Sequence, residues 1–269
     1  METDLQLAHR IAITGAAVAL PHFAALADLP RELKADGTVV TAADRAVESA
    51  IRDVLVAARP QDAVLGEEQG QTGADAGRRW IVDPIDGTAL FLRGDDRWLI
   101  LVALEEHGEI VTSVAAHPAQ GSIWWASRGG GAFEGRIVGG RVVAETRIAV
   151  GGGGDGGTPA RSRLCVVPED WGRELVAPLT ALTPARPWTI HPALLVARGE
   201  LDLAVQTGGE IWDFAATSLI VTEAGGAFSG LGGSRRPGAG ASVYARDEAL
   251  RLATLELLAG SASTGVHAR

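Results

Sequence analysis

The segment Asp83-Pro84-Ile85-Asp86-Gly87-Thr88 sets two carboxylates three residues apart on a turn built to be rigid. Pro84 fixes its own φ and biases Asp83 toward an extended conformation. Gly87 permits a positive φ or close approach of a ligand. Asp-Pro and Asp-Gly also favour ordinary turns, so this segment alone fits either reading. Two more carboxylates shift the balance. Glu67 follows a short apolar run in Gly66-Glu67-Glu68, and Asp213 follows Trp212 at the head of an apolar stretch. Singly, Glu67 could be a solvated acidic loop residue and Asp213 a helix cap; jointly those readings fit less well. Four hard oxygen donors suit Mg²⁺, which prefers octahedral coordination at about 2.0–2.1 Å. Two such ions ~3.5–4 Å apart can clamp a phosphate and polarise a water for in-line attack. With no clustered histidine and a single cysteine, the donor set fits magnesium better than zinc or copper.

The elements that must position these groups are legible from periodicity. Residues 4–27 predict a first helix and residues 41–58 a second, with Thr41 as N-cap and Val47, Ile51, Val54 and Leu55 on one face. Asp44 falls in the first turn of the second helix, where it would compensate the helix dipole. Residues 63–65 and 80–82 predict short strands that end just before Glu67 and Asp83. Strand signals at 98–104, 110–117 and 122–126 predict an antiparallel meander closed by the turn at Gly129-Gly130-Gly131. Gly151 to Gly157 holds six glycines in seven residues and marks a joint. It is not read as a phosphate cradle, since no Gly-Lys-Ser/Thr follows. Strands near 163–167, 201–205 and 241–245, and helices near 212–224 and 247–258, complete the chain. The organisation expected is a subdomain over 1–150 with most of the ligands, a second over 151–262 with Asp213 and the substrate wall, and a tail at 263–269.

Composition narrows the function classes. The 269 residues are 46% hydrophobic, with a formal net charge of −9. A chain so acidic, with no Lys/Arg run, lacks the footprint for nucleic acid or an anionic membrane. Positive charge for a phosphate must come from something local, and a metal cluster is the economical source. Cys165 lies in an apolar run and reads as a buried small hydrophobe. The absence of a basic N-terminal segment and of a long apolar span predicts a cytoplasmic protein. No Asp-x-Asp-x-Thr/Val, Gly-x-Ser-x-Gly or phosphate-binding lysine loop is present, which argues against a phospho-aspartate phosphatase, a serine hydrolase and a kinase.

Gly66-Glu67-Glu68, the run Trp80 to Thr88, and Trp212-Asp213 followed by Thr222-Glu223-Ala224-Gly225-Gly226 resemble, in order and separation, the three signatures of the inositol monophosphatase superfamily. The stretch from Lys34 to Glu48, with Arg93-Gly94 and Trp124-Trp125, looks most like its histidinol-phosphatase branch. The resemblance implies an α+β fold, a layered αβαβα sandwich with a larger N-terminal antiparallel sheet and a smaller C-terminal mixed sheet, in a homodimer. It implies that Glu67, Asp83 and the Ile85 carbonyl hold one Mg²⁺, and that Asp83, Asp86 and Asp213 hold a second. Glu67 would also face a third, looser ion. Asp44 and Thr88 would orient the attacking water, and the N–H groups of Gly87 and Thr88 would bind phosphate. The activity implied is hydrolysis of a small phosphorylated metabolite without a phospho-enzyme.

The match breaks at the substrate wall. Ala89-Leu90 replaces a polar pair. Pro187-Trp188-Thr189-Ile190-His191 replaces a glycine followed by a small or acidic residue. Gln206, seven residues before Asp213, stands where a glutamate commonly binds substrate. Trp188, Thr189, His191 and Gln206 are the candidate wall. Trp188 reads as a ring-binding wall or as core, and His191 as a substrate contact or a structural loop residue. A glutamine cannot pair with an ammonium, and losing a charge-assisted hydrogen bond costs about 1.5–3 kcal/mol. The substrate expected is therefore another sugar, cyclitol, nucleoside-like or amino-alcohol phosphate. Histidinol phosphate and inositol 1-phosphate remain the alternatives, and a catalytically silent binding homologue is the rival of another class.

Overall fold

The computed structural model describes residues 2–26, 31–33, 39–74, 77–152, 157–168 and 172–264. Lys34 to Thr38, Gly153 to Gly156 and 265–269 lie outside the described residues.

Eight strands form the larger sheet: β3 (Ala63–Gly66), β4 (Gly70–Thr72), β5 (Arg78–Asp86), β6 (Leu99–Glu106), β7 (Glu109–His117), β8 (Ser122–Ser127), β9 (Gly131–Val138) and β10 (Arg141–Ile148), in the order β10-β9-β8-β7-β6-β5-β3-β4. Ahead of them, β1 (Arg31–Leu33) and β2 (Val39–Thr41) make a separate antiparallel pair. The smaller sheet orders β11 (Leu164–Val167), β12 (Leu203–Gln206), β14 (Ser242–Ala245) and β13 (Ala227–Gly230), with β11 and β12 parallel. The helices are α1 (Asp4–Ala24), α2 (Ala42–Ala58), α3 (Thr88–Phe91), α4 (Arg173–Leu182), α5 (Pro192–Ala197), α6 (Ile211–Glu223) and α7 (Glu248–Thr264).

Period-two alternation builds the layers. Trp80, Val82, Ile100, Val102 and Leu104 face α1 and α2, in one core with Leu7, Ile11, Val47 and Ile51. Their neighbours Ile81, Leu99, Leu101 and Ala103 face the other way, into a core with Phe214, Ile220 and Tyr244. The small sheet repeats the device. Cys165, Ala204 and Tyr244 share that central core, while Leu164, Val166, Leu203, Val205 and Val243 pack outward against Val176, Leu179, Leu250 and Leu258. The result is a helix–sheet–helix–sheet–helix sandwich, as the resemblance implied. Cys165 is buried, as its apolar context predicted.

The larger sheet is not wholly antiparallel: β3 and β5 run parallel. The chain turns back through the edge strand β4 and then crosses β3 to its other side. This departure matters, because it sends the residues after β3 and the end of β5 out of the same edge. Strands β9 and β10 were not expected from the sequence. Most of β10 is exposed, so it lacks the alternation a half-buried strand shows. The signal that could have found the hairpin is Gly139-Gly140, both at positive φ, between two β-branched runs. β13, α4 and α5 were likewise unanticipated, and α7 runs to Thr264, past the expected end at 258 and into the expected tail.

Candidate active site

Asp83, Asp86 and Asp213 converge, each offering one carboxylate oxygen within 4.8 Å of the others. The local backbone explains the first two. Residues three apart on a regular strand point to opposite faces. Here Asp83 pairs with Leu101 but Asp86 pairs with Leu99, so one extra residue is inserted opposite β6. That bulge turns both aspartates toward one point. The Ile85 N–H donates to Asp83 Oδ1 at 3.0 Å, pinning the turn. Asp213 comes from the first turn of α6, where its Oδ2 accepts the Glu210 N–H at 2.5 Å. Asp213 is thus a cap and a member of the trio at once.

At its other end α6 is anchored by Glu223, whose carboxylate accepts the N–H groups of Gly129 and Gly131, each at 2.8 Å, in the β8–β9 turn.

Burial holds Asp83 well above the usual carboxylate range, and Glu67, Asp86, Asp213 and Asp44 raise it further. Burial also raises Asp86, with Asp213 and Glu67 adding to the effect. Glu67 stands outside the tight trio yet acts on both aspartates, and its N–H donates to Val82 O at 3.3 Å, tying the loop after β3 to β5. Mutually repelling oxygen donors of this kind fit a hard divalent cation, whose charge would relieve the repulsion. The residues present therefore fit magnesium.

The water-orienting pair of the sequence analysis also meets. Gly87 adopts φ 86°, and the short α3 starts behind it at Thr88. Thr88 Oγ1 lies 3.2 Å from Asp44 Oδ1 and 3.1 Å from the Ile85 carbonyl oxygen, and can donate to either. Asp44 Oδ2 accepts from Thr41 N–H at 2.8 Å and Thr41 Oγ1 at 2.6 Å. Asp44 is fully buried, more than dipole compensation would require.

The candidate wall is placed differently. Trp188 is buried, with the Arg97 guanidinium 4.2 Å above its ring and Arg97 Nη1 donating to its carbonyl at 3.0 Å. Among the described residues neither its Nε1 nor Gln206 Oε1 has a hydrogen-bond partner within normal geometry. Thr189 is exposed. His191 is the N-cap of α5, with Nδ1 accepting the Ala193 N–H at 3.2 Å. Burial pushes its imidazole down to about 4, against a smaller upward pull from Gln206. This cap is the structural role that the sequence offered for His191 beside a substrate contact. Tyr244 was missed: its buried hydroxyl is 2.8 Å from Thr217 Oγ1, and burial, then Asp213 and Asp86, raise its pKa. Its being the single tyrosine, set in a core strand, was the available signal.

With this geometry in place, comparison with known proteins is decisive. The sequence model of the inositol monophosphatase family matches residues 1–150 and 191–263. The chain belongs to the inositol monophosphatase family. A Streptomyces griseus protein named glucose-1-phosphate thymidylyltransferase is 37% identical over 255 residues, 91% of this chain and 93% of that one. A Streptomyces coelicolor protein named histidinol-phosphatase is 39% identical over 245 residues, 87% of this chain and 88% of the other. The solved structure of an inositol monophosphatase from Zymomonas mobilis superimposes with a TM-score of 0.73 at 27% identity, covering 95% and 97% of the two chains. As a member of the inositol monophosphatase family, the chain is a phosphatase, a phosphoric monoester hydrolase acting on phosphorylated small molecules. The family match skips 151–190, the stretch with β11, α4 and Trp188. Among the described residues no helix is long and apolar enough to cross a membrane.

Proposed function

We propose that this phosphatase is magnesium-dependent and hydrolyses its monoester by direct in-line attack of water. The observation that carries the reading is the convergence of Asp83, Asp86 and Asp213 within 4.8 Å. Those three, with Glu67 and the Ile85 carbonyl, would hold two ions, and a third more loosely. Magnesium there would neutralise the carboxylates, lower the pKa of water and polarise the phosphate oxygens. The chain's own groups do the rest. When Thr88 Oγ1 donates its hydrogen bond to Asp44 Oδ1, its lone pairs can accept a hydrogen bond from the attacking water and aim that water's oxygen at phosphorus. The N–H groups of Gly87 and Thr88, at the start of α3, would receive phosphate oxygens.

Gln206 in place of a carboxylate, and a tryptophan at 188, support a substrate other than histidinol phosphate or inositol 1-phosphate: another small sugar, cyclitol or nucleoside-like phosphate. The homodimer implied by the family resemblance is kept as part of this proposal. The test is phosphate release from a metabolite panel across a magnesium titration, with Asp83→Asn and Asp213→Asn as controls. Metal-independent turnover, or activity that survives either substitution, would sink the reading. Efficient turnover of histidinol phosphate would sink the substrate argument alone.

A further inference from the structure

One face of α2 carries three buried charged residues a helical turn apart: Asp44, Glu48 and Arg52. Asp44 reaches Thr88, and the other two reach the loop that bears Glu67. Glu48 is fully buried. Its Oε2 accepts the Glu68 N–H at 2.7 Å, and its Oε1 accepts the Gln69 N–H at 3.1 Å and Arg52 Nε at 2.8 Å. Arg52 in turn donates to the Gly70 carbonyl at 2.5 Å and to Thr72 Oγ1 at 2.7 Å. Two side chains of one helix therefore hold the β3–β4 turn by four charge-assisted hydrogen bonds, three to its backbone and one to the Thr72 hydroxyl. Gly66 completes the arrangement. A Cβ there would lie 2.3 Å from Glu48 Oε1, so the strand can approach the carboxylate only without a side chain.

A buried carboxylate on two successive amides is a costly way to close a hairpin that a turn sequence could close alone. It does fix the backbone on the C-terminal side of Glu67, while the Glu67 N–H on Val82 O fixes the other side. We infer that Glu48, braced by Arg52, is a positioning residue that presents the Glu67 carboxylate to the metal site, so that α2 sets the water-orienting pair and this ligand in one register.

The inference rests on Glu67 as a metal ligand, and a double-mutant cycle separates the two. Mg²⁺ binding is measured by calorimetry on the full chain for wild type, Glu48→Gln, Glu67→Gln and the double variant, alongside melting of each metal-free protein. Gln at 48 keeps the size but turns an amine toward one of the two N–H groups. The expected result is Mg²⁺ binding weakened about tenfold by Glu48→Gln, with no added loss when Glu67 is already Gln. Gly66→Ala, which intrudes on the same carboxylate from the strand, weakens binding in the same way and carries the test if Glu48→Gln does not fold. Lowered melting with wild-type Mg²⁺ affinity would make Glu48 merely structural and overturn the inference. Full additivity with Glu67→Gln would overturn it too. Should Glu67→Gln leave Mg²⁺ binding untouched, the ligand assignment itself is what has failed.

Discussion

Thr88 Oγ1 meets Asp44 Oδ1 at 3.2 Å, joining the residue after the Asp-Gly turn to the first turn of α2, 44 residues earlier. Neither residue belongs to the acidic trio, yet the contact gives the Thr88 hydroxyl a buried carboxylate as an acceptor beside the Ile85 carbonyl. Thr88→Val keeps the shape and removes the hydroxyl. Steady-state kinetics should show kcat down by about 10²-fold, within the range for one positioned proton-transfer group, with little change in melting temperature. Asp44→Asn combined with Thr88→Val should be no worse than Asp44→Asn alone. Multiplying losses would show that the two act separately.

Asp83 pits function against stability. Burial and four neighbouring carboxylates oppose its charge. Asp83→Asn keeps an oxygen for the Ile85 N–H and removes the charge. Activity should fall by more than about 10²-fold. The metal-free protein should nonetheless melt higher, by about 2–4 °C for each kcal/mol of repulsion relieved. Differential scanning calorimetry without metal checks it; a lower melting temperature would contradict the repulsion.

The raised pKa values of Asp83 and Asp86 also fix a pH trend. The metal-free native state keeps protons that the unfolded chain releases near pH ~3.9. The stability these two groups contribute is therefore fully present below that value and is lost as pH rises through their raised values. Magnesium competes with those protons, so Mg²⁺ affinity should increase with pH over the same window, with proton release on binding. Titration calorimetry in buffers of different ionisation enthalpy measures both. An affinity that stays flat as pH rises above ~3.9 would contradict it.

Much of this site was legible because its carboxylates sit next to strong local punctuation. Asp-Pro and Asp-Gly around Asp83 and Asp86, and Trp212-Asp213 before an apolar helix, announce their positions by type and spacing. The bulge that turns Asp83 and Asp86 to one side was not legible, because it depends on register against Leu99 and Leu101. Nor was the parallel pairing of β3 and β5, since strand direction is settled by a crossover rather than by composition. Glu48 looked like one more polar position on an amphipathic helix. Only the hairpin folded against it makes it a partner of the Glu67 loop. The wall residues Trp188 and His191 were ambiguous for a related reason, as an apolar or aromatic residue in a loop reads alike whether it meets core or ligand.

His191 should govern part of the acid sensitivity. Its folded-state pKa is depressed to about 4 from 6.5. Stability is fully present above the unfolded value and is lost as pH falls from there toward the folded value. Between pH 7 and 5 this residue should cost about 2 kcal/mol, at 1.36 kcal/mol per unit. Asparagine can cap α5 in its place without titrating. Urea unfolding of His191→Asn should show that much less loss over the same interval, and an unchanged pH dependence would rule the role out.

Gln206→Glu tests the substrate argument directly. A carboxylate there could pair with an ammonium, and about 1.5–3 kcal/mol of charge-assisted bonding corresponds to roughly a 10- to 150-fold gain. The kcat/KM for histidinol phosphate should rise by that order, while that for neutral sugar phosphates falls or holds. Equal changes for both substrates would remove Gln206 from specificity.

Helix α6 holds Asp213 at one end, and at the other Glu223 grips two amides of the exposed β8–β9 turn. Its 13 residues make a stiff rod about 20 Å long. The hairpin backbone at Gly129 and Gly131 and the carboxylate of Asp213 are therefore joined through a single element, so the seat of this ligand is shared between the two ends of one helix.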